Sequence, residues 1–310
     1  MKFHLKSKIP HNPGFVNYKH RILTLGSCFS SEIGDKLKEG KFTIEVNPFG
    51  VLFNPNTILK CIESSVTDEI TTEHIINLNQ KYYHYDYHSD ISADSSLLLE
   101  KEIKERSEKF KEFLKNGDLL IITLGTAWAY KLKATAKFIG NCHKMPAVNF
   151  EKELLSLDDQ FRKWKMLLTN LKLNNSKLKV VFTVSPVRHS KDGLQENNVS
   201  KGMLHNLIFQ LQNTFENVCY FPAYEVVMDE LRDYRFYNSD LIHPTKQAVD
   251  YVFEKFSEAY FNLQTKEKYT LQIKIIRAEN HIHLNATEKQ IKEHKEYVKQ
   301  LKIRFEEMSK

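Results

Sequence analysis

The sequence lacks the features that define several large classes of protein. Its four cysteines, Cys28, Cys61, Cys142 and Cys219, are far apart and form no C-x-x-C pair. In a chain of 310 residues, such isolated cysteines are typical of reduced thiols rather than of a disulfide framework. Zinc-finger spacing, an aromatic and basic RNA-binding strand and a long basic run are all missing. These absences argue against a small disulfide-rich protein and against a nucleic-acid-binding module.

Long apolar runs are missing as well. No stretch approaches the roughly 18 apolar residues that a membrane-spanning helix needs, so no membrane span is expected. The N-terminal sequence MKFHLKSKIPHNPGF has no apolar core of the kind found in secretion signals. We therefore expect a cytoplasmic protein. Low-complexity segments and internal repeats are also absent.

The composition is typical of a globular protein with a mildly basic surface. Apolar residues make up 41% of the chain and charged residues 27%, and the formal net charge is +6. Lysine and glutamate are mixed along the chain, which favours a solvated surface over a groove for nucleic acid. We therefore expect no nucleic-acid partner.

Short apolar runs alternate with helical patterns along most of the chain. Runs typical of buried strands lie at 22–25, 42–46, 118–125, 178–186 and 218–222. The run DLLIITLG (118–125) is continuously apolar, as in a central parallel strand that is covered on both faces. Between the runs, apolar residues recur at helical spacing. The pattern predicts a three-layer α/β/α domain with a mostly parallel sheet.

Two regions depart from this alternation. Residues 70–100, which include KYYHYDYHSDIS, are rich in tyrosine and threonine and predict a β-rich insertion outside the main sheet. Residues 264–310 are rich in lysine and glutamate and carry only a thin apolar stripe. We expect a helical C-terminal extension that packs on the domain or joins two copies into a homo-oligomer. The predicted division is a domain over 1–263 and an extension over 264–310.

The stretch RILTLGSCFSSEIGDKL (21–37) places a serine where a predicted strand meets a predicted helix. Ligands of open α/β sheets bind beyond the carboxyl ends of the strands, and Ser27 should lie there. The first N–H groups of a helix lack helical partners, and the helix dipole favours negative charge. Such N–H groups can hold the oxyanion of an acyl-transfer intermediate. Ser27 is therefore the candidate nucleophile.

The candidate base lies in the stretch SDLIHPT (239–245). Asp240 and His243 are three residues apart just before a helical pattern, so one turn can present both side chains to the same edge. Asp240 would orient the imidazole, and His243 would take the proton of Ser27. Taken alone, this spacing is more typical of a capped turn beside a surface histidine. The predicted α/β frame and the position of Ser27 favour the catalytic interpretation.

Several nearby residues have more than one interpretation. Cys28 could be a nucleophile, but a packing role is favoured for a residue that follows the serine. Cys142 and His143 could be metal ligands, yet two adjacent ligands without a second pair indicate a pocket-lining or structural role. We expect neither a metal nor an organic cofactor. The candidate substrate-binding residues are Trp128, His143, Arg188 and His88.

These candidates differ in what they could bind. Trp128 could stack on a sugar or an acyl chain, and His88 could reach the substrate if the insertion covers the site. Arg188 could hold an anionic group of the substrate or form a surface ion pair.

Six motifs in order make the chain resemble the GSCFA-domain family, which is placed among the SGNH/GDSL-like hydrolases. They span about residues 10 to 262 and read GSCFS, NPFGVLFNP, LGTAWAY, NCHKMP, VSPVRH and YRFYNSDLIHPT. The resemblance implies a flavodoxin-like SGNH hydrolase fold, with Ser27 as nucleophile and Asp240 and His243 as the other triad members. It also implies that the N–H groups of Ser27 and Gly50 bind the oxyanion.

The sequence departs from the SGNH pattern at the third block. SGNH enzymes carry Gly-x-Asn there, whereas this chain reads Gly125-Thr126-Ala127-Trp128. The Thr126 hydroxyl and the Asn141 amide are the candidates for the third oxyanion donor.

Together these observations predict a serine-dependent acyl ester hydrolase that acts on an O-acylated carbohydrate or another small ester. The alternatives are an acyltransferase with the same triad and a non-catalytic binding module on the same fold.

Overall fold

The computed structural model describes residues 5–67, 70–281 and 287–308. The strands in these ranges are β1 (Arg21–Gly26), β2 (Thr43–Val46), β3 (Ile75–Leu78), β4 (Lys81–His84), β5 (Ser92–Ala93), β6 (Leu119–Leu124), β7 (Trp128–Leu132), β8 (Lys137–Ile139), β9 (Phe150–Leu154), β10 (Lys179–Val184) and β11 (Val218–Tyr220). The helices are α1 (Cys28–Glu39), α2 (Pro55–Thr67), α3 (Ser96–Asn116), α4 (Leu157–Asn174), α5 (Leu194–Thr214), α6 (Ala223–Glu225), α7 (Lys246–Tyr260), α8 (Leu263–Glu279) and α9 (Glu288–Glu307). A π-helical segment, Val226–Leu231, continues α6.

The centre of the fold is a five-stranded parallel sheet in the order β11-β10-β6-β1-β2. The chain starts in β1, adds β2 on one side and then crosses to β6 on the other side. The strand order therefore reverses between β1 and β6, which is where open α/β sheets form their ligand-binding crevice. Ser27 directly follows β1 and Gly125 directly follows β6, so both lie at this reversal.

Helices cover both faces of this sheet. Along β6, Leu119 and Ile121 pack in the hydrophobic core that α1 and α7 cover, while Leu120 and Ile122 pack in the core beneath α2, α3, α4 and α5. Such alternation follows from the two-residue period of a strand, and it buries every side chain of β6. The predicted three layers and the mostly parallel sheet are thereby confirmed.

Two small antiparallel sheets lie outside the main sheet. The sheet β3-β4-β5 confirms the predicted β-rich insertion over 70–100, although α3 already begins at Ser96. The sheet β8-β7-β9 was not predicted, because its strands are only three to five residues long.

The C-terminal extension is helical, as predicted, and packs on the domain. Tyr269 of α8 contacts the Phe253 ring, with ring centroids 5.3 Å apart. Leu301 of α9 is buried against Leu271 and Ile275 of α8. Both the boundary near residue 263 and the expected homo-oligomer remain predictions. No helix in the described part of the chain is long and apolar enough to cross a membrane.

Candidate active site

Ser27 is the N-cap of α1 and is almost completely buried, with 1% of its surface exposed. Its Oγ has no hydrogen-bond partner among the described residues. Leaving a buried hydroxyl without a partner costs about 1–3 kcal/mol, so such a group calls for a reason. The Ser27 N–H donates to the Thr123 carbonyl at 3.0 Å, which extends the pairing of β1 with β6.

The conformation of Gly26 sets the direction in which Ser27 leaves β1. Its φ is +134°, and a Cβ at this position would overlap the backbone of Thr123. Glycine alone fits here, because it has no side chain to meet the neighbouring strand and readily adopts a positive φ. The glycine before the serine is thus required by the close approach of β1 and β6.

Gly50 lies on the loop after β2, with a φ of +72°. The space that a Cβ would need is filled by the His88 side chain, so this loop and the insertion pack tightly together. His88 Nδ1 is 3.0 Å from the Asp90 carboxylate. The Gly50 N–H donates to the Asn47 carbonyl at 2.8 Å. Both predicted oxyanion donors, Ser27 and Gly50, therefore already have backbone acceptors in this structure.

Asp240 and His243 form the predicted pair on the loop before α7. His243 Nδ1 lies 2.7 Å from Asp240 Oδ2, and Asp240 Oδ1 accepts the backbone N–H groups of Ile242 and His243 at 2.9 and 3.0 Å. These three hydrogen bonds, that from the imidazole first, lower the pKa of the Asp240 carboxyl to about 2. The carboxylate therefore stays charged at neutral pH and fixes the orientation of the ring.

The structure brings Asp240 and His243 together but leaves them unbonded to Ser27. Both side chains of the pair are nearly half exposed, whereas the Ser27 hydroxyl is buried. The loop is tied to the edge of the sheet, because Arg188 N–H donates to the Ile242 carbonyl at 3.3 Å. Catalytic hydrogen bonds are often long or absent before substrate binds, so a shift of this loop would be needed to complete the triad.

His189 is a second imidazole at this edge, and the sequence analysis gave it no role. The position of a Cβ on Gly125 would be 3.3 Å from Ser27 Cβ and 3.5 Å from His189 Nε2. Both groups therefore border Gly125. The signal was present in the motif VSPVRH, which places His189 just after a strand end.

Lys201 is a second residue that the sequence did not reveal. Its amine is buried and donates to the carbonyls of Gly125 and Ser185, both at 2.7 Å. Burial lowers the pKa of this amine to about 7. Lys201 ties together the ends of β6 and β10, one of which borders Ser27. No sequence signal distinguishes it from the many surface lysines.

The side chains of the two candidates for the third oxyanion donor have hydrogen bonds within the protein, that of Asn141 through its oxygen, which is not the donor atom. The Thr126 hydroxyl is 3.0 Å from Ser200 Oγ and accepts the Trp128 N–H at 3.1 Å. The Asn141 Oδ1 accepts the His143 N–H at 2.8 Å. In the described ranges, neither side chain has a hydrogen bond to Ser27.

His143 and Trp128 also have partners within the protein. The two ring nitrogens of His143 are within 2.9 Å of the His84 carbonyl and 3.0 Å of Ser89 Oγ, so this residue joins the two small sheets. Trp128 Nε1 donates to the Glu196 carbonyl at 3.4 Å, and the Lys152 amine lies 5.0 Å from the ring centroid.

Burial raises the pKa of the Cys28 thiol, although the N–H groups of Phe29 and Cys28 and the nearby Lys201 act in the opposite direction. A thiol with a raised pKa is a poor source of thiolate. This favours the packing role of Cys28 over the nucleophilic one.

One group of potential metal ligands occurs in the described ranges: His74, His84 and Asp86. Lys60 Nζ lies 2.7 Å from Asp86, so an ammonium already provides the positive charge that a metal would supply. His84 bonds the Thr71 carbonyl through Nε2 and accepts the Asp86 N–H through Nδ1, at 3.0 and 3.1 Å. These contacts occupy Asp86 and both ring nitrogens of His84, whereas the buried His74 Nε2 has no partner among the described residues.

Fold and site together define an α/β protein with a serine at a strand–helix junction and an Asp–His pair before the final helix of its core. The model of the GSCFA family matches residues 21–256, and the chain therefore belongs to the GSCFA family. No curated protein matched the chain.

Proposed function

We propose that the protein is a serine-dependent acyl ester hydrolase of the SGNH type. The observation that carries this proposal is the buried Ser27 hydroxyl, which lacks a partner at the point where the strand order reverses. Asp240 and His243 support it, since they form an oriented acid–imidazole pair on a neighbouring loop. The strand order supports the flavodoxin-like placement, because counting only the five strands of the main sheet gives 2-1-3-4-5.

In the proposed reaction, the Ser27 oxygen attacks the acyl carbon of the ester while His243 takes the serine proton. The bond from the acyl carbon to the alcohol oxygen then breaks, and His243 returns the proton to that oxygen. Water, deprotonated by His243, then attacks the acyl carbon of the acyl-serine. The bond from that carbon to the Ser27 oxygen breaks, His243 returns the proton to the Ser27 oxygen, and the acid leaves. Asp240 holds the imidazole and stabilises its charged form.

The oxyanion would be held by backbone N–H groups at the start of α1 and on the Gly50 loop. Each such donor contributes about 2.7–4 kcal/mol in enzymes where it has been removed. The Ser27 and Gly50 N–H groups would have to share their present acceptors with the substrate or exchange them for it.

Hydrolysis is proposed ahead of acyl transfer because the Asp240–His243 pair is open to solvent, so water can reach it. An O-acylated carbohydrate remains the proposed substrate class. An acyltransferase would use the same residues, and it would be recognised by an acylated acceptor forming faster than free acid. A non-catalytic binding module would show no turnover at all.

The test compares p-nitrophenyl acetate hydrolysis by the wild type and by Ser27→Ala. We expect turnover by the wild type and a loss of at least about 1000-fold in the variant. Ser31→Ala, which removes a hydroxyl from the same helix, should retain activity. A fluorophosphonate probe should add its mass to Ser27 in the wild type and should not label Ser27→Ala. Equal hydrolysis by the wild type and Ser27→Ala would exclude the proposed mechanism.

A further inference from the structure

A cavity of about 380 Å³ lies beside the loop that carries Asp240 and His243. Its walls come from the loop after β10, the π-helical segment and the turn over 232–237, and they include the rings of Tyr224, Tyr234 and Tyr237. This turn is joined to the loop that carries Asp240 and His243, because Tyr237 pairs with Pro244 in a β-bridge. The volume is within the range of small-molecule sites, about 300–1000 Å³.

Arg188 lines this cavity, and its guanidinium has hydrogen-bond donors that the surrounding residues do not satisfy. Its guanidinium lies 5.4 Å from the Tyr237 ring centroid and 5.8 Å from that of Tyr234. Its Nη2 contacts the Met228 sulfur at 3.8 Å, and its buried Nε has no partner. No carboxylate in the described ranges is within ion-pair distance of it. A guanidinium has five N–H donors, and a thioether is a weak acceptor, so most of its donors remain available.

The charges around the cavity favour an anionic ligand. Asp229, Asp233 and Arg232 also line it. Asp233 Oδ1 accepts the Arg235 N–H at 2.9 Å and its other oxygen is 3.8 Å from Arg235 Nε, so Arg235 offsets its charge. The remaining charges on the cavity wall are then the guanidinium groups of Arg188 and Arg232 and the carboxylate of Asp229. The tyrosine rings hold the Arg188 fork in place, which suits paired hydrogen bonds to a planar oxyanion.

We propose that this cavity binds a carboxylate or phosphate on the alcohol portion of the ester, with Arg188 as the principal ligand. The placement follows from the mechanism, on which this inference rests. The alcohol departs on the side of His243, which returns the proton to it, and the cavity lies on that side of the site. An anionic sugar with an O-acyl group fits both requirements.

The experiment uses three acetyl esters that share the acyl group and its position on the ring: those of glucose, glucuronic acid and glucose 6-phosphate. We expect the wild type to show a higher kcat/KM for one or both charged esters than for the glucose ester. Arg188→Gln should reduce that preference on the order of 10- to 100-fold, since a charged hydrogen-bonding partner is lost. Arg188→Lys should retain part of it. Arg162→Gln, which removes an exposed arginine on α4, is the control.

Equilibrium binding separates this inference from the proposed function. Glucuronate or glucose 6-phosphate should bind the wild type and Ser27→Ala more tightly than glucose does, and Arg188→Gln should lose the difference while keeping a wild-type melting temperature. Arg188-dependent binding without ester turnover would uphold the anion site and reject the hydrolase. Ser27-dependent turnover with no charge preference, or with a preference unchanged in both Arg188 variants, would overturn the anion site and keep the hydrolase.

Discussion

Two of the histidine–aspartate pairs in the described part of the chain lie in contrasting surroundings. The His243–Asp240 pair is on a loop at the edge of the main sheet, and both side chains are nearly half exposed. The His74–Asp86 pair connects the insertion to α2, and the exposed fractions of its side chains are 0% and 9%. In both pairs, Nδ1 of the imidazole is within about 3 Å of a carboxylate oxygen.

The partners of each carboxylate explain the difference. Asp86 faces Lys60 at 2.7 Å and His74 at 3.1 Å, and its backbone N–H binds His84, so the carboxylate is surrounded by internal partners and the whole group is closed to solvent. Asp240 serves a single imidazole and two backbone N–H groups, and that imidazole is open to solvent. A hydrogen-bonded His–Asp pair is therefore not by itself a catalytic sign. Access to the second ring nitrogen distinguishes a proton-transfer residue from a structural one.

The largest effects are expected for two alanine variants, one of which should lose activity while the other should lose stability. His243→Ala should lower kcat for p-nitrophenyl acetate by about 1000- to 10,000-fold, because the base is lost. Its free energy of unfolding should change by less than about 0.5 kcal/mol, because the residue is exposed. His74→Ala should keep its activity per folded molecule and lose about 1–3 kcal/mol of stability, because the buried Asp86 loses its hydrogen bond with His74 and retains only the ion pair with Lys60. Activity assays and urea unfolding of both variants measure the two quantities.

His189 provides the outcome that would contradict this assignment. If His243→Gln retained wild-type kcat while His189→Gln lost it, the base would be the imidazole that borders Gly125. The Asp240–His243 pair would then be a second structural pair, and the contrast would disappear.

A second comparison removes the charge from each carboxylate. Asp240→Asn should reduce kcat by about 100- to 10,000-fold, since an amide can stabilise the wrong tautomer of His243. Asp86→Asn should instead cost about 3 kcal/mol of stability, because Lys60 loses its counter-charge and the buried His74 loses its carboxylate partner. Kinetics and unfolding curves for both variants test this, and an unstable Asp240→Asn with normal kcat would assign Asp240 to turn stability alone.

The sequence allowed the main sheet to be predicted because its central strands are continuously apolar and the helices around them are amphipathic. The sheet β8-β7-β9 was not predicted, since its short strands have no continuous apolar pattern. Ser27, Asp240 and His243 stood out because they follow local chain features, namely a strand end and a turn. His189, Lys201 and the cavity around Arg188 depend on segments distant in sequence, so one stretch alone could not reveal their contacts.

The buried group formed by His74, His84 and Asp86 should also make the free energy of unfolding depend on pH. Burial lowers the pKa of His84 to about 4 from an ordinary value of 6.5. Between these values the unfolded chain binds a proton that the native protein does not, so stability falls as the pH falls below 6.5. From about pH 7.5 to pH 5.0, we expect a loss of about 2 kcal/mol from His84, measured by urea unfolding.

His84→Gln is the matched variant, since its amide can replace both hydrogen bonds of the ring. Its stability should depend less on pH over the same interval than the stability of the wild type does. An unchanged slope in His84→Gln would show that other histidines with a lowered pKa, such as the partly buried His20 and His205, cause the effect.

The smallest effect concerns Lys60, which is the cation beside Asp86; among the described residues, no lysine or arginine forms an ion pair with Asp240. Its side chain is 31% exposed, so solvent screens the ion pair and Lys60→Met should cost only about 1 kcal/mol. Methionine preserves the long apolar stem of the lysine side chain, so this variant separates the loss of charge from the loss of packing.

Added Zn²⁺ provides a further distinction between the two pairs. If Lys60 takes the place of a metal, the wild type should not be stabilised by Zn²⁺, and Lys60→Met should gain in melting temperature. Zn²⁺ stabilisation of the wild type that His74→Ala abolishes would instead make the group a metal site, and the two His–Asp pairs would then differ in chemistry as well as in exposure.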